Sequence, residues 1–328
     1  MAMTRRRFIQ ATGTALLAIM PAAKLLAQGK PLSIILAPSN LGLRPQKAGH
    51  QPGTWRAPQA LMAVSLVSAT GAGEVLSIER SPYAFEAQRG TRIRNGQSIR
   101  AFSLQLANVV RSVLARGRFP LVVGGDCSIL LGGLYGLRLA GGRGLVHMDG
   151  HSDFYQLDGH DAAEQLGSAA GMDLALASGR GDALLTSWPE VGAPLARDED
   201  IIQIGDRESP GDRDRIPGTG ITQITAQHIL AEGIHAVASR AVERMETANI
   251  HRAWQHVDLD VLDQKVMPAV DSPGSPGLNF EQLADLVNAL CASGRIAGAD
   301  FAIYDPELDP GLHYAQPIVQ CIARGIRT

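Results

Sequence analysis

The chain of 328 residues contains only three cysteines, Cys127, Cys291 and Cys321. That number is small for an exported protein that might use disulfides. The odd count also leaves at least one thiol unpaired within a monomer. Cys291 and Cys321 could form one bridge, and two buried free thiols explain them equally well.

The sequence also lacks an excess of basic residues. Its formal net charge is −2, and no basic stripe is interleaved with aromatic residues. Nucleic acids and anionic membranes bind basic surfaces, because lysine and arginine displace their counterions. Nucleic acids and anionic membranes are therefore not expected as partners, and a small-molecule substrate is expected. With 45% hydrophobic and 19% charged residues, the composition is that of a globular domain.

Long hydrophobic runs are absent apart from a short one near the start of the chain. Residues 1–28 combine a basic stretch, a mildly apolar segment at 11–20 and small residues up to Ala27. The run RRRFI at 5–9 resembles a twin-arginine signal, which predicts export by the twin-arginine machinery to the periplasm or beyond. A general secretory signal and a short buried helix are the alternatives. The segment is too short to span a membrane, so the protein without it is predicted to be soluble.

From Lys30 onward, short apolar runs alternate with longer segments of helical spacing. The runs predict strands at 32–37, 119–123, 144–148, 201–205, 251–257 and 301–304. The longer segments predict helices at 98–117, 169–179, 234–248 and 280–294. Strands that are apolar on both faces and alternate with helices are typical of a parallel sheet covered on both sides. The sequence therefore predicts one doubly wound α/β domain over residues 31–328, with a mainly parallel sheet.

Three polar clusters follow predicted strands directly. GGDCS occupies 124–128, DGHSD occupies 149–153 and DLD occupies 258–260. In open parallel sheets, ligands bind beyond the carboxyl ends of the strands. We therefore expect these three clusters to meet at one edge of the sheet and to form a single site.

The spacing within two clusters brings carboxylates together. In an extended backbone, side chains two residues apart point the same way, so Asp149, His151 and Asp153 converge, as do Asp258 and Asp260. Carboxylates gathered at one place repel each other unless cations neutralise them. Oxygen ligands with an imidazole suit Mn²⁺ or a related divalent ion. The alternative is a set of surface carboxylates that cap turns.

The sequence resembles the ureohydrolase family, which includes arginase, agmatinase and formimidoylglutamase. GGDCS, DGHSD and the stretch at 256–278 resemble its three signature motifs, and residues 36–61 resemble its opening segment. The resemblance implies an α/β fold with a binuclear manganese cluster, whose bridging hydroxide attacks the carbon of a guanidinium or amidine. It also implies that Asp153 orients this hydroxide. The metal ligands that it implies are Asp149, His151, Asp153, Asp258 and Asp260.

Cys127 departs from the family pattern, which has a metal-binding histidine at that position. A thiolate there could serve as a ligand and would favour Zn²⁺, Fe²⁺ or Co²⁺ over Mn²⁺. Alternatively, the first metal is absent and the site is mononuclear, as in the deacetylases that share the fold. A buried free thiol without a metal is the third possibility.

The residues at the positions that bind substrate in the family also differ from the family pattern. Ile303 stands where arginase-like enzymes carry a glutamate that pairs with the guanidinium, and an isoleucine cannot form a bidentate ion pair. Tyr155 replaces the asparagine that reads the amino-acid end of arginine, and Ala170 replaces a proton-shuttling histidine. We therefore expect a metal-dependent hydrolase that cuts a C–N bond in a small amidine-like or guanidino-like substrate other than arginine.

Four nearby residues could replace the lost functions. His160 is the candidate second catalytic residue beside Asp153, and Tyr155, Asp305 and Glu307 are the candidate substrate-binding residues. For His160, Asp305 and Glu307 the alternative is an ordinary role at the solvated surface. Two other functions stay open: a mononuclear amide hydrolase of deacetylase type, and a metal-binding protein without catalysis. A homo-oligomer is expected.

Overall fold

A computed structural model describes residues 29–155, 166–207 and 216–327. The predicted signal segment at 1–28 and His160 lie outside the described residues. Within those ranges the chain forms one sheet of eight strands. The strands are β1 (Leu32–Leu36), β2 (Glu74–Ser77), β3 (Phe119–Val123), β4 (Gly144–Met148), β5 (Ile201–Ile204), β6 (Thr222–Ile224), β7 (Ala253–Asp258) and β8 (Ile296–Ala302). Their order is β2-β1-β3-β8-β7-β4-β5-β6, and every neighbouring pair is parallel.

The helices form two groups that pack among themselves. They are α1 (Ala57–Ala63), α2 (Leu66–Thr70), α3 (Gly96–Ala115), α4 (Ile129–Leu139), α5 (Asp173–Ala177), α6 (Ala183–Thr186), α7 (Ala226–Glu232), α8 (Ile234–Thr247), α9 (Phe280–Ala292) and α10 (Ala315–Gly325). Helices α3 to α6 contact one another, and α7 to α10 contact one another together with α1 and α2. Every residue of β4, β7 and β8 is buried, so both faces of the central sheet are covered. The predicted fold class is confirmed.

The sequence missed some elements and misplaced one. The strand predicted at 301–304 runs instead from Ile296 to Ala302, because the small residues of IAGAD hide its apolar pattern. The edge strands β2 and β6 are short and partly exposed. Helix α4 contains three glycines, which lower helix propensity. A Cβ at Gly133 would lie 2.4 Å from the Trp254 ring, so glycine lets α4 approach β7 closely.

Four adjacent strands place the predicted site. The central strands follow the order β3-β8-β7-β4, and their carboxyl ends lie at one edge of the sheet. Cys127 follows β3, Asp149 follows β4, Asp258 ends β7 and Ile303 follows β8. The clusters therefore meet because the sheet order makes their strands neighbours. In the described part of the chain, no helix combines the length and apolarity that a membrane span requires.

Candidate metal centre

The loop after β3 carries Cys127 and needs two glycines. Gly124 and Gly125 have φ angles of +91° and +86°, and a Cβ at Gly125 would lie 2.7 Å from the carbonyl oxygen of Ala37. Asp126 then anchors the loop through short hydrogen bonds. Its carboxylate accepts the hydroxyl of Ser39 at 2.6 Å and a backbone N–H at 3.1 Å. Asp126 is thus occupied inside the protein, which leaves Cys127 to face the site.

Cys127 lies against a carboxylate of the site. Its thiol donates to Oδ2 of Asp258 at 2.6 Å, and the side chain is 2% exposed. Burial, reinforced by the charge of Asp258, raises the pKa of the Cys127 thiol well above its ordinary value. Burial and the neighbouring carboxylate therefore favour the neutral thiol, and Cys127 would need a cation beside it to become a thiolate ligand.

The clusters converge by turns and not by extended backbone as predicted. Strand β4 ends one residue before Asp149, and Asp153 has a φ of +43°. Oδ1 of Asp149 accepts the backbone N–H of His151 at 2.7 Å, and Oδ1 of Asp258 accepts that of Asp260 at 2.7 Å. Each is an Asx turn, in which an aspartate folds the next two residues back over itself. The convergence was therefore predicted for the wrong local reason.

His151 connects the two clusters. Its Nδ1 lies 2.9 Å from Oδ2 of Asp260 and 3.6 Å from Oδ1 of Asp149. These three residues offer ligand atoms that all lie within 4.8 Å of one another. Burial alone would lower the pKa of His151, but its hydrogen bonds with Asp149 and Asp260 raise it to about 11. The two carboxylates therefore favour the protonated imidazole.

The remaining carboxylates lack sufficient positive charge. Burial, followed by the charges of neighbouring aspartates, raises the pKa of Asp153 and Asp258 well above the ordinary range. Asp149 is fully buried, and its Oδ2 has no hydrogen-bond partner. A buried carboxylate oxygen without a donor is costly, and a divalent cation removes that cost. The residues therefore fit a divalent metal centre. We call Cys127, Asp149, His151, Asp153, Asp258 and Asp260 the carboxylate centre.

A cavity of about 660 Å³ opens above this centre. This volume suits a small organic molecule. The floor of the cavity consists of Cys127, His151, Asp153, Asp258 and Asp260. Its wall includes Tyr155, Ala170 and Ile303. Ile303 is 2% exposed and has a φ of +74°, a strained conformation for a β-branched residue.

Two candidate substrate-binding residues are not brought to the cavity. Asp305 accepts the backbone N–H groups of Gly53 and Glu307, each at 2.9 Å. The carboxylate of Glu307 pairs with His50 and Arg56, each at 2.8 Å. Both carboxylates therefore hold the segment around Gly53 to the loop after β8. Tyr155 does lie in the cavity wall, and His160 is outside the described residues.

The sequence interpretation overlooked a second polar layer beneath the centre. His147 precedes Asp149 by two residues, and His256 precedes Asp258 by two. Strand alternation therefore puts each histidine on the same face of the sheet as the aspartate that follows it. They are register partners on β4 and β7, and their rings stack at 5.0 Å. Asp300, the partner of His256 on β8, hydrogen-bonds its Nδ1 at 2.5 Å. We call His147, His256, Asp300 and the adjoining Asp173 the histidine group.

Comparison with known proteins decides the family. A family model described as the arginase family matches residues 31–324. The chain belongs to the arginase family. It is 28% identical to arginase from Bacillus caldovelox over 300 residues, which are 85% of this chain and 92% of that protein.

Solved structures agree with this assignment. The arginase structure from Bacillus caldovelox superposes with a TM-score of 0.79 at 25% identity, covering 92% of this chain and 99% of that one. Formimidoylglutamase from Bacillus subtilis gives a TM-score of 0.68 at 15% identity, over 92% of this chain and 87% of that one, and shows the shared fold. The arginase family consists of metallohydrolases that act on C–N bonds through a binuclear divalent metal centre. The predicted family and enzyme class are confirmed.

Proposed function

We propose that this member of the arginase family hydrolyses a C–N bond in a small amidine-like or guanidino-like compound other than arginine. The carboxylate centre would hold the divalent ions. The floor of the cavity has the ligand types that the family's chemistry requires, while its wall lacks a carboxylate at Ile303. The floor therefore supports the hydrolytic reaction of the family, and the wall supports a substrate other than arginine.

Ile303 is the observation that carries this proposal. It lines the cavity on a strained backbone, and its own N–H donates to the carbonyl oxygen of Gly125 at 2.8 Å. The acidic residues that follow Ile303 along the chain, Asp305 and Glu307, are engaged with Gly53, His50 and Arg56. A cationic guanidinium against Ile303 would lose its water without gaining an ion pair from that side chain, and the cavity-lining carboxylate of Asp271 already accepts the amide of Gln46 at 3.1 Å; that cost disfavours arginine. A substrate with a neutral or apolar group at this position avoids the cost.

The bound ions would lower the pKa of a water molecule and hold it beside the substrate carbon. The chain's own residues would do the remaining work. Asp153 lies in the cavity floor, where its carboxylate can accept a hydrogen bond from the attacking water and orient it. Ala170 offers no proton carrier in the wall, so the leaving nitrogen needs its proton from another group. His160 stays the candidate for that role.

Cys127 bears on the identity of the metals. The family precedent is manganese, and the contact between the Cys127 thiol and Asp258 puts sulfur among the oxygen ligands. A thiolate at that place would favour Zn²⁺, Fe²⁺ or Co²⁺ in one of the two positions. If the thiol does not bind, a single ion on the remaining ligands would resemble the mononuclear deacetylase type.

A substrate panel tests the proposal. Purified protein loaded in turn with Mn²⁺, Zn²⁺, Fe²⁺ or Co²⁺ is assayed against arginine, other guanidino compounds, amidines and acyl-amides. We expect metal-dependent turnover of an amidine or non-arginine guanidino compound, abolished in Asp153→Asn. Turnover confined to acyl-amides with one bound ion would favour the deacetylase type. Arginine as the preferred substrate would refute the substrate proposal, and no turnover with any metal would favour a non-catalytic role.

We also propose export through the twin-arginine pathway and self-association of the folded domain. The support for export is the RRRFI run, and this route carries folded proteins whose metal is already loaded. Replacing Arg5 and Arg6 with lysine should retain the protein in the cytoplasm. Cell fractionation measures this directly, and light scattering of the purified domain measures its oligomeric state. Equal export of the lysine variant would contradict the twin-arginine assignment.

A further inference from the structure

The histidine group contains buried polar atoms that no contact in the described chain satisfies. His147, Asp173 and His256 are fully buried. Oδ2 of Asp173, Nε2 of His256 and Nδ1 of His147 make no hydrogen bond. Immediately above them, Oδ2 of Asp149 is unpartnered as well. Buried polar groups normally find a partner, and several unsatisfied atoms at one place indicate that a ligand is missing there.

The geometry around His147 matches a coordination shell. Its Nε2 lies 3.1 Å from Oδ1 of Asp173 and 3.8 Å from Oδ2 of Asp149. His147, Asp153 and Asp173 offer ligand atoms that all lie within 4.8 Å of one another. Ligands on one cation with bonds of about 2.1 Å lie roughly 3.0 to 3.5 Å apart, so small movements would complete the shell.

The rest of the group holds these atoms in place. Asp300 hydrogen-bonds Nδ1 of His256, and the indole N–H of Trp254 donates to the other oxygen of Asp300. Nε2 of His256 lies 3.5 Å from Oδ2 of Asp173. Metal sites commonly have such outer partners, which fix the direction of the ligating carboxylate.

We propose that His147 and Asp173, together with Asp149 and Asp153, bind an additional divalent cation beneath the carboxylate centre. The site takes one imidazole nitrogen and carboxylate oxygens, a donor set that suits Mn²⁺, Co²⁺ or Zn²⁺. Asp149 and Asp153 reach both layers, so the additional ion would adjoin those of the proposed function. The proposal concerns metal content and does not depend on which substrate the enzyme cleaves.

Metal counting distinguishes the two layers. Wild type, Asp173→Asn and Asp260→Asn are loaded separately with Mn²⁺ and Zn²⁺, dialysed, and analysed for metal per chain by mass spectrometry. We expect Asp173→Asn to hold one equivalent less than wild type, and Asp260→Asn to lose metal from the carboxylate centre while keeping the inner ion. Wild-type metal content in folded Asp173→Asn would overturn the inner site. An Asp260→Asn variant without any metal would also overturn it and leave the carboxylate centre standing.

A matched control separates metal loss from general damage. Asp200 is a buried aspartate with one unpartnered oxygen, and it lies just before β5, at the opposite edge of the sheet. Asp200→Asn should bind as much metal as wild type. If Asp173→Asn does not fold, His147→Gln removes the nitrogen ligand and should also cost one equivalent.

Thermal melts with EDTA and with metal give a second readout. Metal should raise the melting temperature of Asp173→Asn and of His147→Gln by less than that of wild type, and of Asp200→Asn by the same amount as wild type. If the histidine group binds no metal and its members only share protons with one another, adding metal should raise the melting temperature of all variants by the same amount. That result would overturn the additional site.

Discussion

The carboxylate centre, which forms the floor of the cavity, and the wall of the cavity lie at the same edge of the sheet but differ in the residues that they present. The floor gathers Asp153, Asp258 and Asp260 with an imidazole, which is the donor set expected of the arginase family. The wall presents Ile303 and Ala170, at the positions where the resemblance implies a guanidinium-pairing glutamate and a proton-shuttling histidine. Under the proposed function, the reaction and the choice of substrate would depend on separate residues, so that the substrate could change while the reaction stays the same.

The backbone explains how this separation is possible. In the carboxylate centre, Asp149 and Asp258 fold their own loops through Asx turns, so each proposed ligand also serves as a structural residue. In the wall, the backbone of Ile303 is fixed by its hydrogen bond to Gly125, and its side chain contributes nothing to that contact. Asp149 and Asp258 are therefore constrained both as proposed ligands and as residues that fold their loops. Another side chain at position 303 would keep the backbone hydrogen bond to Gly125.

The largest effect is expected in the floor. Asp149→Ala and Asp258→Ala should each abolish metal binding, because the family resemblance implies that these carboxylates serve both ions. The loss of affinity should exceed the roughly 10- to 100-fold cost of mutating an outer-shell partner. Metal analysis after dialysis measures the effect, with Asp200→Asn as the buried control. Full metal stoichiometry in either variant would show that the ligands are wrongly assigned.

The next effect concerns the wall. Wild type should turn over arginine far more slowly than about 1 per second, an ordinary rate for an enzyme. Ile303→Glu should raise kcat/KM for arginine by about 10- to 100-fold, because a charge-assisted hydrogen bond contributes about 1.5 to 3 kcal/mol. Ile303→Gln is the matched control, since it adds polarity without charge. Equal gains in the two variants would mean that the missing charge does not determine the substrate.

The next prediction concerns Cys127, whose thiol lies against Asp258 in the carboxylate centre. If its thiolate is a ligand, Cys127→His should move the metal preference from softer ions towards Mn²⁺ and raise the occupancy of a half-filled centre. If it is only a packed thiol, the larger imidazole would cost about 1 to 3 kcal/mol of stability and leave the metals unchanged. Elemental analysis of competing Mn²⁺ and Zn²⁺ loads, read beside a thermal melt, separates these outcomes.

Particular residues show how much the sequence could predict. Strands β3 and β4 were recognised at their observed bounds because they are largely apolar, β8 was misplaced because of its small residues, and the partly exposed edge strands β2 and β6 were missed. The convergence of Asp149 with His151 was predicted, although turns and not a strand produce it. Sequence spacing therefore predicts which residues come together more reliably than it predicts the backbone conformation between them.

Other features depend on contacts that no local pattern contains. His147 and His256 lie two residues inside the ligand-bearing positions, so the same alternation could have identified them. Asp173 could not be found this way, because α5 brings it to His147 from 26 residues further along the chain. The pairing of Glu307 with Arg56 and His50 likewise joins segments about 250 residues apart.

The smallest effect is expected outside the cavity. Glu307→Gln should leave turnover unchanged and destabilise the fold by about 1 kcal/mol or less, because its partners are half exposed. Slight burial opposes the shift, but the bonds from His50 and Arg56 lower the pKa of Glu307. Its contribution to stability is therefore present at neutral pH and is lost as the pH falls through that lowered pKa. The difference between the melts of the two proteins should be largest at pH 7 and should shrink as the pH falls through that lowered pKa, and a large loss of turnover would instead return Glu307 to the substrate site.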